Sequence, residues 1–422
     1  MRELQTSIAT LVQPKTGKDL YSYQKGAIHN IFKSFENAPE NYHLLYQLPT
    51  GGGKTVIFSE IVRQYLKHYN KKVLVLTHRI ELCRQTSAML TEFNVTNKVV
   101  NSTANLDDQG SYSCFVAMVE TLNNRLNDDK LDISDIGLVI IDEAHYNSFN
   151  KLFKFFGNSF ILGVTATPLS SNIKLPMNDN YQKLIVGETI QALIENEFLA
   201  KAENISYNVG LTSLTVGTNG DYSVKSSEDL YNKSVMLGKL LEAYETHSKG
   251  KKTLIFNNGI NTSWYVYNTF KQAGYNIAHL DNTVSKNERK KILKWFKETP
   301  GAILTSVSIL TTGFDEPTIE SIILNRATKS LTLYYQMIGR GSRLLKDKST
   351  FKVIDLGNNF YRFGYWGADL DWQKIFHSPD YYMDKLLNDE EIEANFRYEM
   401  PDEIRAKFAN SEEVYFDIKK TY

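Results

Sequence analysis

The sequence predicts an α/β chain: two tandem parallel-sheet domains followed by a short helical tail. Three observations lead there. Short β-branched and apolar runs alternate with amphipathic stretches through most of the 422 residues, as expected for parallel strands buried on both faces and joined by helices. The alternation breaks once, over a Ser/Thr/Asn/Gly-rich stretch at 204–235, and then resumes. The length suffices for two domains, each with its own core.

In chain order, strands are expected at "HLLYQL" (43–48), "KVLVLT" (72–77), "SCFVAM" (113–118), "LVIID" (138–142) and "FILGVTA" (160–166). Amphipathic stretches at 54–69 and 79–93 supply helices between them. These make a first domain over 1–203, with 204–235 as a connector or insertion. A second domain over 236–365 takes its strands from "KKTLIF" (251–256), "YNIAHL" (275–280), "GAILTS" (301–306), "ESIILN" (320–325) and "FKVIDL" (351–356). One of its helices opens with "SKNE" (285–288), where Ser285 and Glu288 have capping-box spacing. From 366 to 422, "DLDWQKIF" and "DKLLNDEEIEANF" read as helices of a tail outside both sheets. "KLFKFFGNSF" (151–160) and "WYVYNTF" (264–270) are aromatic-rich and read as core-packing helix faces rather than as base-stacking surfaces.

Composition narrows the function. No run of 18 apolar residues occurs, and the first 20 residues lack a secretion-signal core, so a cytoplasmic protein without membrane partners is expected. Two cysteines, Cys83 and Cys114, cannot build a four-cysteine zinc site. The net charge of zero conceals an asymmetry. Residues 366–422 hold 14 acidic and 7 basic side chains, so the remaining 365 residues carry a net +7. A basic body with an acidic tail suits a polyanionic partner.

The chemistry starts at "LPTGGGKTVIF" (48–58), between a predicted strand and a predicted helix. That placement aims backbone N–H groups and a helix dipole at a phosphate. Thr50, Gly51, Gly52 and Gly53 form the cradle; Lys54 reaches the terminal phosphates, and Thr55 offers a hydroxyl to Mg²⁺. The strict phosphate-loop pattern has glycine where this chain has Leu48. "VIIDEAH" (139–145) ends a strand in two carboxylates. Asp142 suits the Mg²⁺ shell and Glu143 the role of orienting the attacking water. In "QMIGRGSR" (336–343), Gln336, Arg340 and Arg343 fall at i, i+4 and i+7, one face of a helix. The two arginines then suit charge developing on a γ-phosphate.

Together with "TATP" (165–168), these stretches resemble the superfamily 2 helicases, in which the first glycine of the loop is commonly absent. The resemblance covers roughly residues 18–365, with motifs in the family's order, and implies RecA-like domains. "LYSYQKGA" (20–27) is similar to the element whose glutamine reads adenine, nominating Gln24; Tyr21 stands where the family often has arginine. "THRIELCRQ" (77–85) and "VETLNNR" (119–125) resemble segments that hold a nucleic-acid backbone, nominating Thr77, His78, Arg79 and Thr121. "TLIFNNG" (253–259) and "ILTSVSILTTGFDEP" (303–317) resemble their second-domain counterparts. They nominate Asn257 and Thr305 for the strand, and Gly313 and Asp315 for the nucleotide. His145, Thr165 and Thr167 take coupling roles, His145 as a hydrogen-bonding relay rather than a metal ligand.

Within the superfamily, "YQKLIVGETIQALIENEFL" (181–199), "SILTTGFDEPTIESIILNRATKS" (308–330) and "GRGSR" look most like RadD-type repair helicases and restriction-enzyme motors. The RadD zinc module is missing, and no nuclease signature is present. A compact motor of this sort is similar to the branched-DNA helicases of large phages. The resemblance implies ATP and Mg²⁺ as cofactors. It implies a monomeric, nucleic-acid-stimulated ATPase that unwinds or remodels forked or branched DNA in replication, recombination or repair, alongside partner proteins of those processes. Two alternatives stay open: the same motor acting on RNA, and an ATP-gated clamp or motor subunit that recruits a nuclease without unwinding.

Overall fold

The computed structural model describes residues 19–398 apart from 37, 40, 102–108, 128–132, 173, 308–309 and 311–313. The chain divides into two units. The first runs to Thr189 and takes in Asp371–Tyr381; the second runs from Ile190 to Leu370 and resumes at Tyr382.

In the first unit, α1 (Ser22–Glu36) precedes β1 (His43–Gln47), and α2 (Lys54–His68) leads to β2 (Lys72–Thr77). After α3 (Ile80–Glu92) come β3 (Asn97–Val100), β4 (Cys114–Met118), α4 (Val119–Asn127), β5 (Ile136–Asp142), β6 (Phe160–Thr165) and β7 (Lys183–Val186). The strands form one sheet of order β3-β4-β2-β5-β6-β1-β7, with every ladder parallel. The central strands are apolar on both faces because helices cover both. Leu44, Tyr46, Val73, Val75, Leu138, Ile140, Leu162 and Val164 join α1, α2 and α3 in one core. Residues 147–155 form a 3₁₀ helix that buries Phe149 and Leu152 and leaves Lys151 and Lys154 exposed, so packing is its main role.

The second unit contains α5 (Ile190–Glu195), β8 (Lys201–Ser206), α6 (Val224–Tyr231), α7 (Ser234–His247), β9 (Thr253–Asn257) and α8 (Ile260–Gln272). There follow β10 (Ile277–Leu280), α9 (Lys286–Glu298), β11 (Ile303–Val307), β12 (Ser321–Asn325), α10 (Leu331–Ile338), β13 (Thr350–Asp355) and α11 (Asn359–Phe363). Its sheet has the order β10-β11-β9-β12-β13-β8, again with parallel ladders throughout. The Ser285 hydroxyl caps α9 by accepting from Glu288 N at 3.3 Å.

The structure redraws three boundaries. β8 pairs with β13 and so belongs to the second sheet, which moves the division from 203 back to 189. Residues 204–235 are no connector: Tyr207, Val209, Leu211, Leu214, Tyr222, Leu230 and Tyr231 are buried in the second core. Between β8 and α6 their spacing follows no single period, and side chains distant in sequence help to hold the backbone there. Asn358 both accepts from Val209 N (3.2 Å) and donates to Val209 O (2.5 Å). The segment is also pinned by a buried ion pair. Asp221 accepts from Arg326 Nη2 (2.9 Å), Thr328 Oγ1 (2.8 Å) and Lys329 N (2.7 Å). Asp221→Ala is therefore expected to destabilise the second unit by about 3–5 kcal/mol, because it strands a buried guanidinium. Denaturant unfolding checks this, and a loss below about 1 kcal/mol would contradict it.

The tail is likewise packed rather than free. The helix Trp372–His377 buries Trp372, Ile375 and Phe376, and Gln373 Nε2 donates to Leu184 O of β7 at 3.1 Å. In the second unit, Asp389 accepts from Tyr222 OH and Arg362 Nη2, and Glu393 Oε1 accepts from Leu211 N and Thr212 N. The tail residues 399–422 lie outside the described ones. In α8, Val266 and Phe270 are buried as expected, but Trp264 and Tyr265 are 46% and 52% exposed. Among the described residues, no helix is long and apolar enough to cross a membrane.

Candidate functional site

The carboxyl edge of the first sheet assembles the nucleotide-type residues. β1 ends at Gln47, and Leu48 N continues the strand's bonding by donating to Thr165 O at 3.0 Å. The chain then turns sharply. Gly51 and Gly53 have φ of +93° and +86°, left-handed values that cost a side chain dearly. Gly53 is the N-cap of α2, so the first N–H groups of that helix open onto the loop. A Cβ on Gly52 would lie 2.8 Å from Leu48 Cγ. The fully buried Leu48 side chain thus fills the floor beneath the turn. Lys54 opens α2 and folds back, its Nζ donating to Leu48 O at 3.1 Å. Thr50 and Thr55 stand half-buried on either side of the glycines.

Gln24 lies against this loop, since a Cβ on Gly53 would meet its Nε2 at 2.7 Å. Its Oε1 accepts from Tyr21 N at 3.0 Å. Tyr23, which sequence reasoning missed, ties α1 to the loop by donating to Gly52 O at 2.8 Å, and burial pushes its phenol up to about 12. Its position one residue before Gln24 was the only available signal.

β5 delivers the carboxylates. Its register sets Asp142 beside Val164 of β6, while Thr165 of β6 pairs with Gln47 of β1. The carboxylate and the loop therefore stand two strands apart on one edge. Burial and the neighbouring Glu143 charge push Asp142 up to about 7, against the pull of Lys54. Glu143 has φ +53°, a sparsely populated region for a residue with a side chain. Its N–H donates to Asp142 Oδ1 at 3.0 Å.

His145 connects this pair to β6. Its Nδ1 sits 3.0 Å from Thr165 Oγ1 and 3.4 Å from Glu143 Oε2. The Thr165 hydroxyl donates to Thr167 O at 2.9 Å, so Nδ1 of His145 is the donor to it. Burial lowers His145 to about 4, leaving the imidazole neutral. Tyr146, also unforeseen, packs tilted between His145 and His78, with ring centroids 4.3 and 4.2 Å away. It joins the carboxylate turn to the β2–α3 segment, where burial lowers His78 to about 4. Arg79 is the N-cap of α3. Thr77 is fully buried, its hydroxyl donating to Arg79 O at 3.1 Å, so it shapes that segment from within. Thr121 is half-buried on α4.

The second unit gathers its own set. α10 stops at Ile338, with Gly339 as C-cap, so Gln336, Arg340 and Arg343 do not share a helix face as the spacing suggested. The chain turns there through Arg340 N to Met337 O and Gly341 N to Ile338 O, and Gly341 packs where a Cβ would meet the Phe351 ring at 2.3 Å. Gln336 is buried in α10. Arg340 Nη1 donates to Phe314 O at 2.5 Å, and Arg343 Nε to Asp315 Oδ1 at 3.0 Å. Asp315 and both arginines are thereby brought together, while Gly313 lies outside the described residues. Asn257 and Thr305 are buried in a polar network rather than exposed. Asn257 Nδ2 donates to Thr305 Oγ1 (2.8 Å), which contacts Ser263 Oγ (3.0 Å), and Ser263 contacts His279 Nδ1 (2.8 Å). Asp281 Oδ2 completes the chain on His279 Nε2 at 2.8 Å.

A divalent cation in the first unit would draw on two side chains. Thr55 and Asp142 offer one hydroxyl and one carboxylate, the sparse oxygen set of a Mg²⁺ that keeps waters and phosphate oxygens as its other ligands. Burial leaves Asp142 poised to gain from a cation's charge. Among the described residues, no cluster of three or more His, Cys, Asp or Glu forms a separate metal site.

Known proteins resemble this arrangement. Residues 17–170 match the type III restriction enzyme res subunit family, and residues 232–344 match the helicase conserved C-terminal domain. A 51.5 kDa protein of a Lactococcus phage (isolate 7-9) is 30% identical over 336 residues, covering 79% of this chain and 69% of that protein. The putative ATP-dependent helicase IRC3 of Saccharomyces cerevisiae is 31% identical over 363 residues, 80% of this chain and 51% of that protein. This chain thus spans about half the yeast protein's length. In fold, it resembles the fragment of a putative HsdR subunit of a type I restriction enzyme from Vibrio vulnificus YJ016. That match has a TM-score of 0.65 at 22% identity and covers 88% of this chain and 68% of that one.

Proposed function

The chain belongs to the superfamily 2 helicases of the restriction-motor type, and from that premise we propose that its ATP-driven motor unwinds or remodels branched DNA. The observation that carries the reading is the single sheet edge of the first unit. It holds the phosphate loop, the carboxylate pair and, through Tyr146, the segment around His78 and Arg79. A change at the nucleotide can then be felt by residues suited to a strand.

In this reading the loop N–H groups and Lys54 bind the ATP phosphates, and Thr55 with Asp142 hold Mg²⁺, which when bound neutralises phosphate charge. Glu143 orients the attacking water. His145, neutral and donating to Thr165, relays the position of Glu143 to β6. Arg340 and Arg343 stabilise charge developing on the γ-phosphate. Loss of that phosphate on hydrolysis removes the charge that favours the ATP-bound state, and the motor resets. The strand is held by its backbone, so binding is independent of sequence and weakens with salt.

The test compares ATPase stimulation by single strand, duplex, fork and four-way junction, with strand displacement measured in parallel. Branched DNA is expected to stimulate most and to be unwound. Preference for RNA across the panel would give the motor an RNA substrate. Stimulation without displacement on any DNA would make it a clamp.

A further inference from the structure

We propose that the exposed lysine face of α9 is a docking surface for the phosphate backbone of duplex DNA. The inference deepens the DNA-motor reading above and rests on it. Residues 190–370 hold 22 basic and 17 acidic side chains, a net of +5. α9 alone supplies net +4 of that, through Lys286, Arg289, Lys290, Lys291, Lys294 and Lys297 against Glu288 and Glu298. The positive excess of residues 190–370 is thus concentrated on one helix.

That helix spends little of itself on packing. Phe296 is its one fully buried side chain, whereas Lys286, Lys290, Lys291, Lys294 and Lys297 are all exposed. Lys286, Lys290, Lys294 and Lys297 fall within an arc of about 80° and extend about 16 Å along the axis, forming a straight cationic stripe. Among the described residues, the ion pair formed on it is a loose one, Lys294 to Glu298 at 3.9 Å with both side chains largely exposed. Such a pair neutralises almost nothing.

Two features select duplex over single strand. Single-strand surfaces pair cations with exposed aromatic rings on which bases stack, whereas of α9's two aromatics Phe296 is buried and Trp295 half-buried. α9 also links the edge strand β10 to β11. It starts at the carboxyl edge, where β9 ends in Asn257, and runs down the outside of the sheet. Nucleic acid engaged at that edge would meet the stripe only as an arm leaving it.

The experiment uses the full chain carrying K286A, K290A and K294A together, and a control carrying K67A, K71A and K174A, three exposed lysines of the first unit. Binding to a blunt duplex and to a single strand is measured by fluorescence anisotropy over a salt series. The α9 variant is expected to bind duplex more weakly, and its slope of log K against log salt should shrink by about 2–3, near 0.9 per lost phosphate contact. The control and the single-strand slopes should stay unchanged. Equal losses in both triple variants would reduce the effect to net charge and overturn the surface. Equal losses on single strand and duplex, or no loss at all, would overturn it too. The DNA-motor reading fails differently: the wild-type protein would then show no ATPase stimulation by any DNA.

Discussion

Lys54→Ala is expected to abolish DNA-stimulated ATP hydrolysis, by at least ~10²–10³-fold, while the fold survives. The lysine's Nζ donates to Leu48 O at 3.1 Å, and such a bond is worth about 1 kcal/mol. The loop itself is held by features the substitution leaves alone. These are the left-handed glycines, the Leu48 floor and the Tyr23 bond to Gly52 O. Phosphate release with and without DNA, read beside a thermal melt, checks both halves. Turnover at the wild-type rate would remove the first unit's edge from the chemistry.

The second large effect falls on the other unit. Arg343→Ala should lower the hydrolysis rate by about 10³–10⁵-fold, with ATP affinity kept within a few-fold. Arg343 meets Asp315, whose side chain is 63% exposed, so the lost pair itself costs about 0–1 kcal/mol. Arg343→Lys should recover little, because an ammonium keeps the charge but not the planar fork. Stopped-flow binding of a fluorescent ATP analogue separates affinity from rate. Affinity falling in step with rate would show that the residue binds nucleotide rather than stabilising the transition state.

Much of this was legible in the sequence, for physical reasons. Central strands of a parallel sheet are buried on both faces and so read as continuous apolar runs; β1, β2, β5, β9 and β12 all do. The strands that escaped notice, β3, β7 and β8, are edge strands. Each carries a lysine (Lys98, Lys183 and Lys201), as edges do when charge guards against unwanted pairing. Missing β8 is what misplaced the boundary between the units. The packed segment at 204–235 was hidden because polar side chains such as Asp221 and Asn358, distant in sequence from their partners, hold it in place. The glycine loop and the paired carboxylates were visible because they stand as marked residue types at close spacing. Tyr146 was not, since a ring contact between loops leaves no period. Likewise, the close packing of Phe351 on Gly341, just past the end of α10, exists only once β13 is in place.

The return of Asp371–Tyr381 to the first unit has a consequence for synthesis. The first unit's sheet is complete by Val186, yet the helix that lays Trp372, Ile375 and Phe376 into that unit leaves the ribosome only after the entire second sheet. At ordinary translation rates that delay is roughly 10–40 s. During it, the nascent first half lacks the helix that Gln373 ties to Leu184 of β7. The order of emergence thus leaves the first unit waiting on the second, and a first half expressed alone would never gain that helix.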